Sequence, residues 1–506
     1  MGDFGGHRER RQPELSVLYR SLQQHLETFL ARAEDQESGR DLPRFVVRDL
    51  RDYLKCGILA HGFCRVHCAR CRRDELVAFS CKRRGFCPSC GARRMADLAA
   101  HLVDAVFPEV PVRQWVLSLP HRIRYRCAYD AGSCAAVRQV LARAVSGFYR
   151  SRAQQLGLVR PQPGAVVFEQ RFDSALRLNL HFHGLWMDGV FARVPGTQGM
   201  GFHPHPDLTD EEVALLVRRI KNRVLRALHK RGKLPTDDAD PPSEGADPDL
   251  LQDLCAAALQ GRTATGNHRG RLDPRLGRGT DDRPFRKGRL CQDLDGFSLH
   301  AAVRIPGGLV DRLEQLCRYA ARPPIVLDRL TRTDDGTILY KLKRRYRDGS
   351  THVVFTPHTL IERLCALIPR PRRHLVTYYG VLAPAAGLRD RVVPDPVDHS
   401  GGEDRDPGPP DSAIQRLGIG SRPQPPVPHV PSRLPGPRKA YTWAELMQRV
   451  FRIDVLTCPH CQGPRRLLAA VFDPLTIENI LRCLGLPTQA PAIAAARPPP
   501  QQRLPW

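Results

Sequence analysis

The sequence contains no run of about 18 apolar residues, which excludes a hydrophobic helix that spans a membrane. It also contains no G-x-x-x-x-G-K-[ST] phosphate-binding loop, so we expect a reaction that uses no ATP. The opening residues, MGDFGGHRERRQPELS, lack the apolar segment of a secretory signal, and we therefore expect a cytoplasmic protein with no membrane partner. Lysine is scarce, since only nine of the 78 basic residues are lysine.

The charge balance is strongly basic, with 78 Lys and Arg residues against 53 Asp and Glu residues and a formal net charge of +25. Such an excess favours a polyanionic partner, most simply nucleic acid. The preference for arginine, together with abundant Ala, Gly and Pro, is also typical of a GC-rich genome, so composition alone leaves both explanations open. At 506 residues the chain is long enough for about three domains, and its apolar content of 42% excludes disorder over the whole length.

The cysteines are concentrated in one region, where seven of the sixteen fall between Cys56 and Cys90. Two CxxC pairs, Cys68/Cys71 and Cys87/Cys90, are separated by fifteen residues. Because two such pairs can place four thiolates around one metal ion, the spacing predicts a structural zinc with no open position for catalysis. The residues that could form a second site or replace one of these ligands are Cys56, His61, Cys64, His67 and Cys81.

Basic side chains surround these cysteines. On a small zinc-bound module, such a surface suits contact with the phosphate backbone of DNA. The residues that we assign to this contact are Arg72, Arg73, Lys82, Arg83, Arg84, Arg93 and Arg94. Residues 211–232 add a predicted amphipathic helix that is also basic.

Hydrophobic periodicity and composition predict an α+β protein made of six segments. The segments are an N-terminal helical segment (1–55), a zinc ribbon (56–95), a domain of helices and strands (96–390) with a loop-rich insert (232–288), a flexible Pro- and Gly-rich linker (391–440), a small C-terminal unit (441–486) and a Pro-rich tail (487–506). Within the central domain, two strands are predicted to turn at Asp173-Ser174, and a hairpin is predicted to turn at Asp348-Gly349.

The predicted strand LNLHFHGL carries His181 and His183. Residues i and i+2 of a strand point to the same side and lie about 6.6–7 Å apart, so the two imidazoles share one face. Two aligned imidazoles can bind a divalent metal and leave coordination positions open for a substrate. The alternative is a pair of hydrogen-bonded histidines on a half-buried strand, which any His-x-His sequence also permits.

Tyr319 is the candidate nucleophile. A metal that polarises a phosphodiester allows a tyrosine hydroxyl to attack phosphorus and to store the bond as a phosphotyrosine. Tyr319 lies near the end of a predicted helix, before the sequence RPPI, with Arg318 beside it and Arg322 three residues on. Both guanidinium groups are suited to bind phosphate oxygens. The alternative for a helix tyrosine is a role in packing.

Several segments occur together in one order: AFSCKRRGFCPSCGARRM, HFHGL after LRLNL, CRYAARPPI, RYRDGSTHVVFTPHTLI and TYYGVLAP. Together they resemble the rolling-circle insertion-sequence transposases of the HUH nuclease class, in particular the single-tyrosine branch associated with common-region elements. The resemblance covers residues 14–390 and, more weakly, residues 440–486.

The resemblance implies a zinc ribbon followed by an HUH-type nuclease domain, in which an antiparallel sheet has helices packed on one face and the histidine strand at its centre. It implies that His181 and His183 bind Mg²⁺ or Mn²⁺ and that Tyr319 is the nucleophile. In the two-tyrosine branch a second tyrosine precedes the first by four residues, where this chain has Gln315. Either one tyrosine therefore acts twice, or a second subunit of a homodimer takes part.

A third metal ligand is usual in this class. We assign His300, on the predicted strand DGFSLHAAV, and keep Gln170 as a weaker candidate. The alternative explanation of His300 is a packed strand histidine. Tyr378 and Tyr379 lie in a segment that the family shares, and we interpret them as packing or base-stacking residues.

The C-terminal unit carries a lone CxxC pair, Cys458 and Cys461, near His460 and Cys483. A redox role is disfavoured because no βαβ pattern surrounds the pair. The pair could be half of a ribbon, a complete zinc site with those neighbours, or a site that another chain completes.

These features predict a DNA strand transferase that nicks and joins single-stranded or hairpin DNA at the ends of a mobile element through a 5′-phosphotyrosine. We expect it to be associated with the nucleoid in a bacterial cytoplasm. A plasmid replication initiator or a conjugative relaxase would use the same chemistry on other DNA ends. A DNA-binding remnant of a transposase, with a zinc ribbon and no catalysis, is the alternative from another functional class.

Overall fold

The computed structural model describes residues 11–34, 41–193, 199–233, 250–277, 288–346, 348–393, 442–451 and 454–497. Within these ranges the helices are α1 (Val17–Glu34), α2 (Arg44–Tyr53), α3 (Pro88–Ala105), α4 (His121–Tyr129), α5 (Ala131–Gln155), α6 (Asp210–His229), α7 (Leu250–Gln260), α8 (Val310–Ala321), α9 (Pro357–Leu367), α10 (Trp443–Phe451) and α11 (Pro474–Cys483). The strands are β1 (Phe63–Cys68), β2 (Asp74–Ala78), β3 (Val112–Ser118), β4 (Gly164–Phe172), β5 (Leu178–Met187), β6 (Gly189–Arg193), β7 (Met200–Pro204), β8 (Arg275–Leu276), β9 (Cys291–Leu294), β10 (Phe297–His300), β11 (Arg304–Ile305), β12 (Leu330–Arg332), β13 (Ile338–Lys341), β14 (His352–Phe355), β15 (Val376–Gly380) and β16 (Arg465–Val471). None of the described helices is long and apolar enough to cross a membrane.

The largest sheet contains seven strands. Six of them follow the order β15-β4-β5-β3-β10-β9, and β11 pairs with β3. Every pair in this sheet is antiparallel. The histidine strand β5 lies between β4 and β3, which confirms its expected central position, and the predicted turn at Asp173-Ser174 joins β4 to β5. The prediction of an α+β fold with an antiparallel sheet is therefore confirmed.

Helices cover both faces of this sheet. On one face, α5 and α6 bury Leu180, Phe182 and Trp186 of β5. On the other face, α3 and α8 pack against Leu185 and Met187 of the same strand. The expectation of helices on a single face is therefore wrong. Strand β5 sends apolar side chains to both sides of the sheet, and each apolar face has to be covered.

A second core combines α1, α2, α7 and α9 with the four-stranded sheet β12-β13-β14-β8. The predicted hairpin is present, because β13 pairs antiparallel with β14 and the connection contains Asp348 and Gly349. The predicted helices of the N-terminal segment are present as α1 and α2, and both contribute buried side chains to this core.

The predicted insert (232–288) is less loop-like than its composition indicates. Its described part contains α7, whose Leu250, Leu254 and Cys255 are buried in the second core. Strand β8 of the same segment pairs with β14. Only 11 residues of helix lie between stretches rich in Gly, Pro and Asp, so the average composition concealed an amphipathic helix.

A third sheet joins distant parts of the chain. Strand β16 pairs antiparallel with β1, which also pairs with β2, so the C-terminal unit adds a strand to the hairpin of the predicted zinc ribbon. Phe63, Leu76, Val471 and Leu481 share a small core in this region. The predicted zinc ribbon and the C-terminal unit, which were predicted as separate segments, therefore pack as one unit. Most of the predicted linker (391–440) lies outside the described residues.

Part of the Pro-rich tail packs along α1. The backbone N–H of Ala494 donates to the backbone oxygen of Gln23 at 2.9 Å, and the N–H of Arg497 donates to the Thr28 hydroxyl at 3.1 Å. The tail is therefore attached to the N-terminal helix as far as residue 497. Residues 498–506 lie outside the described part of the chain.

A buried carboxylate connects the central sheet to its neighbours. Asp188 directly follows β5 and is fully buried. It accepts hydrogen bonds from Arg113 Nε at 2.8 Å and Nη2 at 2.9 Å, from the Tyr149 hydroxyl at 2.8 Å and from Arg304 Nε at 2.7 Å. Because these donors belong to β3, α5 and β11, a single side chain joins three elements around the end of β5.

Replacement of Asp188 by Asn should lower the free energy of unfolding by about 3–5 kcal/mol, because the buried guanidinium of Arg113 loses the carboxylate that it pairs with and the partly exposed Arg304 loses an ion pair. Urea denaturation followed by circular dichroism measures the loss. The control is Asp334→Asn at an exposed position, which should change stability by less than about 0.5 kcal/mol. Equal stability of the two variants would contradict the role assigned to Asp188.

Candidate active site and cysteine clusters

His181 and His183 project from one face of β5, and their ring centroids are 4.8 Å apart. The Nδ1 atom of His181 lies 2.8 Å from the backbone oxygen of Asn179, to which it donates, and this tautomer leaves a lone pair on Nε2. The Nε2 atom of His183 is buried and has no hydrogen-bond partner among the described residues. Metal-binding histidines have this form, with one ring nitrogen held by the protein and the other free.

The carboxamide of Gln114 decides which nitrogen of His183 is free. Its nitrogen lies 3.0 Å from Nδ1 of His183. A flip of the carboxamide places the oxygen there instead, so that Nδ1–H donates to it and Nε2 keeps its lone pair. Metal binding at His183 requires this second orientation.

Burial keeps both imidazoles neutral. It lowers the pKa of His181 to about 4 and lowers the pKa of His183 well below its ordinary value. The positive charge of Arg322 lowers the pKa of both residues further. At neutral pH each imidazole therefore has one ring nitrogen with a lone pair, and this neutral form is the one that binds a metal ion.

Tyr319 lies in the last turn of α8, with its ring edge-on to the ring of His183 at a centroid distance of 5.6 Å. The residue is 38% exposed, so a substrate can reach it. The guanidinium carbon of Arg322 lies 4.8 Å from the centre of the tyrosine ring, and the ammonium group of Lys343 lies 4.9 Å from it. Two cations beside the tyrosine create a positive surface that attracts phosphate groups.

Lys343 was not identified from the sequence. It lies in the run KLKRR, where its neighbours are equally basic and no pattern distinguishes it. Only the fold shows its position, because it brings the connection between β13 and β14 to the end of α8. Burial and the charge of Arg322 both lower the pKa of Lys343.

Gln170 holds the end of α8 against the sheet. Its amide nitrogen donates to the backbone oxygens of Tyr319 at 2.9 Å and Ala320 at 2.8 Å. Gln170 pairs with His181 across β4 and β5, so the residue that binds the helix end lies beside the histidine pair. Because both acceptors are carbonyl oxygens, the carboxamide has to present its NH₂ group to them. Its own oxygen is buried and has no partner among the described residues.

His300 lies on the same face of the sheet as His183, with Val116 of β3 paired between them. Strands in a sheet are about 4.8 Å apart, so the backbones of the two histidines are roughly 10 Å apart. In the described ranges, no His, Cys, Asp or Glu side chain forms a close group of three ligands with His181 and His183. The assignment of His300 as a third ligand stays a prediction.

The first of two cysteine clusters consists of Cys56, Cys81, Cys87 and Cys90. The Sγ atom of Cys56 lies 3.6 Å from the Sγ atom of Cys87 and 3.8 Å from that of Cys90. The Sγ atoms of Cys81 and Cys90 are 3.4 Å apart. Tetrahedral zinc with bonds of about 2.3 Å separates its sulfur ligands by about 3.8 Å, whereas a disulfide requires about 2.05 Å. The thiols are spaced as zinc ligands are.

The second cluster consists of Cys68, Cys71, Cys458 and Cys461. The structure therefore does not bring the two predicted CxxC pairs, Cys68/Cys71 and Cys87/Cys90, to one ion. Cys68 and Cys71 lie at the turn of the β1–β2 hairpin, while Cys56 and Cys81 lie at its base. A strand of five residues is about 17 Å long, which is too far for ligands of a single zinc.

The basic residues assigned to DNA differ in their surroundings. Several bind within the protein: Arg83 to Asp52, Arg84 to the backbone oxygen of Arg373, Arg94 to the backbone oxygens of Lys82 and Arg83, Arg73 to His460, and Arg318 to Glu314. Arg72 is exposed beside the second cluster, and Lys82 and Arg93 are exposed beside the first. Arg322 lies against the rings of Tyr319 and Phe172. The assignments to DNA stay predictions.

Tyr378 and Tyr379 lie on the edge strand β15 and point to opposite faces of the sheet. Tyr379 packs against the core beneath α5 and α6, and Tyr378 packs against the core beneath α3 and α8. Both contacts agree with the packing interpretation.

Two family models match the chain. One, described as "Transposase zinc-binding domain" of the IS91 type, matches residues 21–119. The other, described as "Putative transposase", matches residues 164–389. Together the two matches support an IS91-type transposase. No curated protein and no solved structure matches it.

The two matched ranges contain the candidate sites. His181, His183 and Tyr319 lie within residues 164–389, and the first cysteine cluster lies within residues 21–119. The match to a zinc-binding domain and the spacing of the thiols support structural zinc. A transposase acts on DNA, so the two matches imply that the protein binds DNA. Cys458 and Cys461 lie outside both matches.

The neutral state of His181 should make stability fall in acid. Because the folded pKa of about 4 is below the ordinary value of 6.5, the unfolded state binds more protons between these pH values. Wild type should therefore lose stability relative to His181→Asn as the pH falls from 6.5 towards 4, by up to about 1.4 kcal/mol per pH unit. Urea denaturation without added divalent ions measures this difference.

The control for this pH series is His229→Asn, at an exposed position on the last turn of α6. A stability difference between wild type and His181→Asn that is constant from pH 7 to pH 4 would show that burial does not hold His181 neutral.

Proposed function

We propose that this transposase is a metal-dependent tyrosine DNA strand transferase, which nicks and joins single-stranded DNA at the ends of a mobile element in a rolling-circle-like reaction. The position of Tyr319 carries the proposal, because its ring contacts His183 edge-on and has Arg322 and Lys343 at 4.8 and 4.9 Å from its centre. A nucleophile, a pair of neutral imidazoles and phosphate-binding cations are the parts that transesterification of a phosphodiester needs.

The residues of the site fit a divalent metal ion when the carboxamide of Gln114 presents its oxygen to His183. His181 presents Nε2 because its Nδ1–H donates to Asn179, and the Nε2 of His183 is buried without a described partner. Bound by this pair, Mg²⁺ or Mn²⁺ would polarise a phosphate oxygen. We favour Gln170 over His300 as the third ligand. Its partnerless oxygen lies one strand from His181, whereas His300 lies two strands from His183.

In the proposed step, the oxygen of Tyr319 bonds to the scissile phosphorus while the bond from phosphorus to the 3′ oxygen breaks. The tyrosine proton passes to solvent and the departing 3′ oxygen takes up a proton, which gives a 5′-phosphotyrosine and a free 3′-hydroxyl. Arg322 and Lys343 bind the remaining phosphate oxygens. A later attack by a 3′-hydroxyl restores Tyr319, so bond energy is kept and no ATP is consumed.

We propose one nucleophile on this helix. Gln315 precedes Tyr319 by four residues, and both residues are exposed, so they lie one turn apart on the same side of α8. A glutamine cannot form a phosphotyrosine. A second cleavage would therefore require the regenerated Tyr319 or the tyrosine of a second subunit, and we propose that the protein belongs to the single-tyrosine branch.

We also propose that Cys56, Cys81, Cys87 and Cys90 bind a structural zinc that supports the active site. Cys87 and Cys90 lie at the start of α3, which packs against α8 in one core. At the same turn, a Cβ atom on Gly91 would lie 2.5 Å from the Cβ of Pro323, so α3 and the chain after Tyr319 are in direct contact. The zinc would fix the helix on which the tyrosine helix rests.

The covalent intermediate gives the direct test. Purified protein is mixed with Mn²⁺ and labelled single-stranded DNA that carries a verified element end, and the products are separated on a denaturing gel. Wild type should form a protein–DNA adduct. Tyr319→Phe should form none because the attacking oxygen is absent, and His183→Ala should form at least about 100-fold less because a metal ligand is lost.

The matched control is Tyr379→Phe, which removes a hydroxyl from a tyrosine packed against the sheet and should leave the adduct unchanged. Wild-type protein that binds the DNA and never forms an adduct would overturn the catalytic proposal and favour a DNA-binding remnant. Cleavage of plasmid or conjugative origins in preference to element ends would favour a replication initiator or a relaxase.

The zinc proposal has its own test. Cys87→Ser should lower the free energy of unfolding by at least about 3 kcal/mol, because the loss of one ligand weakens a metal site whose binding energy contributes to folding. Cys64→Ser is the control, since Cys64 lies on β1 and belongs to neither cluster. Thermal unfolding measures both variants, and equal stabilities would mean that Cys87 binds no structural ion.

A further inference from the structure

The second cysteine cluster joins residues that are far apart in sequence. Cys68 and Cys71 come from the turn between β1 and β2, and Cys458 and Cys461 come from the C-terminal unit. The Sγ atoms of Cys68 and Cys461 are 3.4 Å apart, and those of Cys71 and Cys458 are 3.6 Å apart. Four thiols thus meet although the paired cysteines are 393 and 387 residues apart in the sequence.

The backbone at the first pair forms a closed turn. The N–H of Arg72 donates to the backbone oxygen of Cys68 at 2.8 Å, and the N–H of Cys68 donates to the backbone oxygen of Arg73 at 2.9 Å. Arg72, which directly follows Cys71, has a φ of 56°. A residue with a side chain seldom adopts this left-handed conformation.

The second pair repeats the same turn. The N–H of Gln462 donates to the backbone oxygen of Cys458 at 2.8 Å, and the N–H of Cys458 donates to the backbone oxygen of Gly463 at 2.9 Å. Gln462, which directly follows Cys461, has a φ of 57°. The two turns therefore match in both hydrogen bonds and in the unusual residue, although their surroundings in sequence differ. The match is independent of the distances between the thiols.

We propose that Cys68, Cys71, Cys458 and Cys461 bind a second structural zinc ion, which fastens the C-terminal unit to the N-terminal hairpin. Zinc is the ion that four thiolates in a tetrahedron bind most commonly. Four protein ligands leave no open position, so the ion has a structural role. Each CxxC turn supplies two ligands from one side, which is how two such turns complete one site.

The contacts around the cluster agree with this role. Arg70, between the first two cysteines, donates to the backbone oxygen of Cys461 at 3.1 Å. Directly beyond Cys461, β16 begins its antiparallel pairing with β1, in which Cys68 pairs with Arg465. The zinc would therefore lie at one end of the β1–β16 pair and fix its register.

The C-terminal unit also reaches the tyrosine helix. Arg449 of α10 donates to Asp104 of α3 at 2.8 Å and to Glu314 of α8 at 2.9 Å. An ion that bound both cysteine pairs would close a chain segment of nearly 400 residues, and closing a long loop removes more freedom from the unfolded chain than closing a short one.

Counting zinc in the whole protein tests the inference. After purification without added metal, mass spectrometry of dissolved protein should find two zinc ions per chain in wild type. The double variant Cys458→Ser/Cys461→Ser should contain one. Cys483→Ser, which replaces an exposed cysteine of the same unit that belongs to neither cluster, should still contain two. Two zinc ions in the double variant would overturn the inference.

X-ray absorption at the zinc edge of the wild-type protein keeps the inference testable if the double variant does not fold. The expected result is coordination by sulfur alone with two ions per chain. One ion per chain, or a mixture of sulfur with nitrogen or oxygen ligands, would overturn it. A disulfide from Cys68 or Cys71 to Cys458 or Cys461, found in protein denatured under alkylating conditions without reductant, would overturn it as well.

The zinc count is independent of catalysis. Protein that carries two ions and forms no adduct with DNA would retain the second site and refute the proposed strand transfer. Protein that forms the adduct but carries only one zinc ion, bound by the first cluster, would support the proposed strand transfer and refute the second zinc site.

Discussion

The hydrogen bonds from Gln170 to the last carbonyl groups of α8 set the position of the tyrosine relative to the histidines. A helix ends with carbonyl groups that have no partner within the helix. Here two of them, at Tyr319 and Ala320, are satisfied by a side chain from β4, the strand next to the histidine strand. The candidate nucleophile is thus attached through its own backbone to the sheet that carries the candidate metal ligands. Any shift of α8 along the sheet would break these bonds inside a buried environment, where unpaired polar groups are costly.

The cysteine clusters are connected to the same helix, α8, through contacts with neighbouring elements. Helix α3 starts at two thiols of the first cluster, contacts Pro323 at Gly91 and packs along α8. Arg449 then connects α3 and α8 to the C-terminal unit, which bears half of the second cluster. A zinc module that only recognised DNA could be joined to the rest of the protein by a flexible linker. In this protein the two cysteine clusters instead lie in the elements that support the tyrosine helix, so the proposed metal binding would be coupled to the geometry of the candidate active site.

Local patterns predicted local structure well. The alternating side chains of β5, the helix that ends before the prolines and the turn at Asp348-Gly349 were all recognisable because each depends on neighbouring residues. The grouping of the cysteines could not be predicted, since spacing along the chain gave no sign that Cys458 returns to Cys71. The position of Lys343 and the hydrogen-bond partners of Gln170 could not be predicted either, because both depend on contacts between elements that are far apart in the sequence. The nearly continuous apolar run of β5 indicates burial on both faces of the sheet. Only the resemblance to the family predicted helices on a single face.

The pairing of β16 with β1 has a consequence for the order of assembly during synthesis. Strand β1 leaves the ribosome early, with one edge paired to β2 and the other open, and open strand edges invite pairing with other chains. Its partner β16 is made some 400 residues later, after the described strands of the central sheet have been translated. The hairpin nearest the N-terminus is therefore among the last parts to be completed, and a ribosome that stalls before residue 465 releases a chain whose first sheet lacks its third strand.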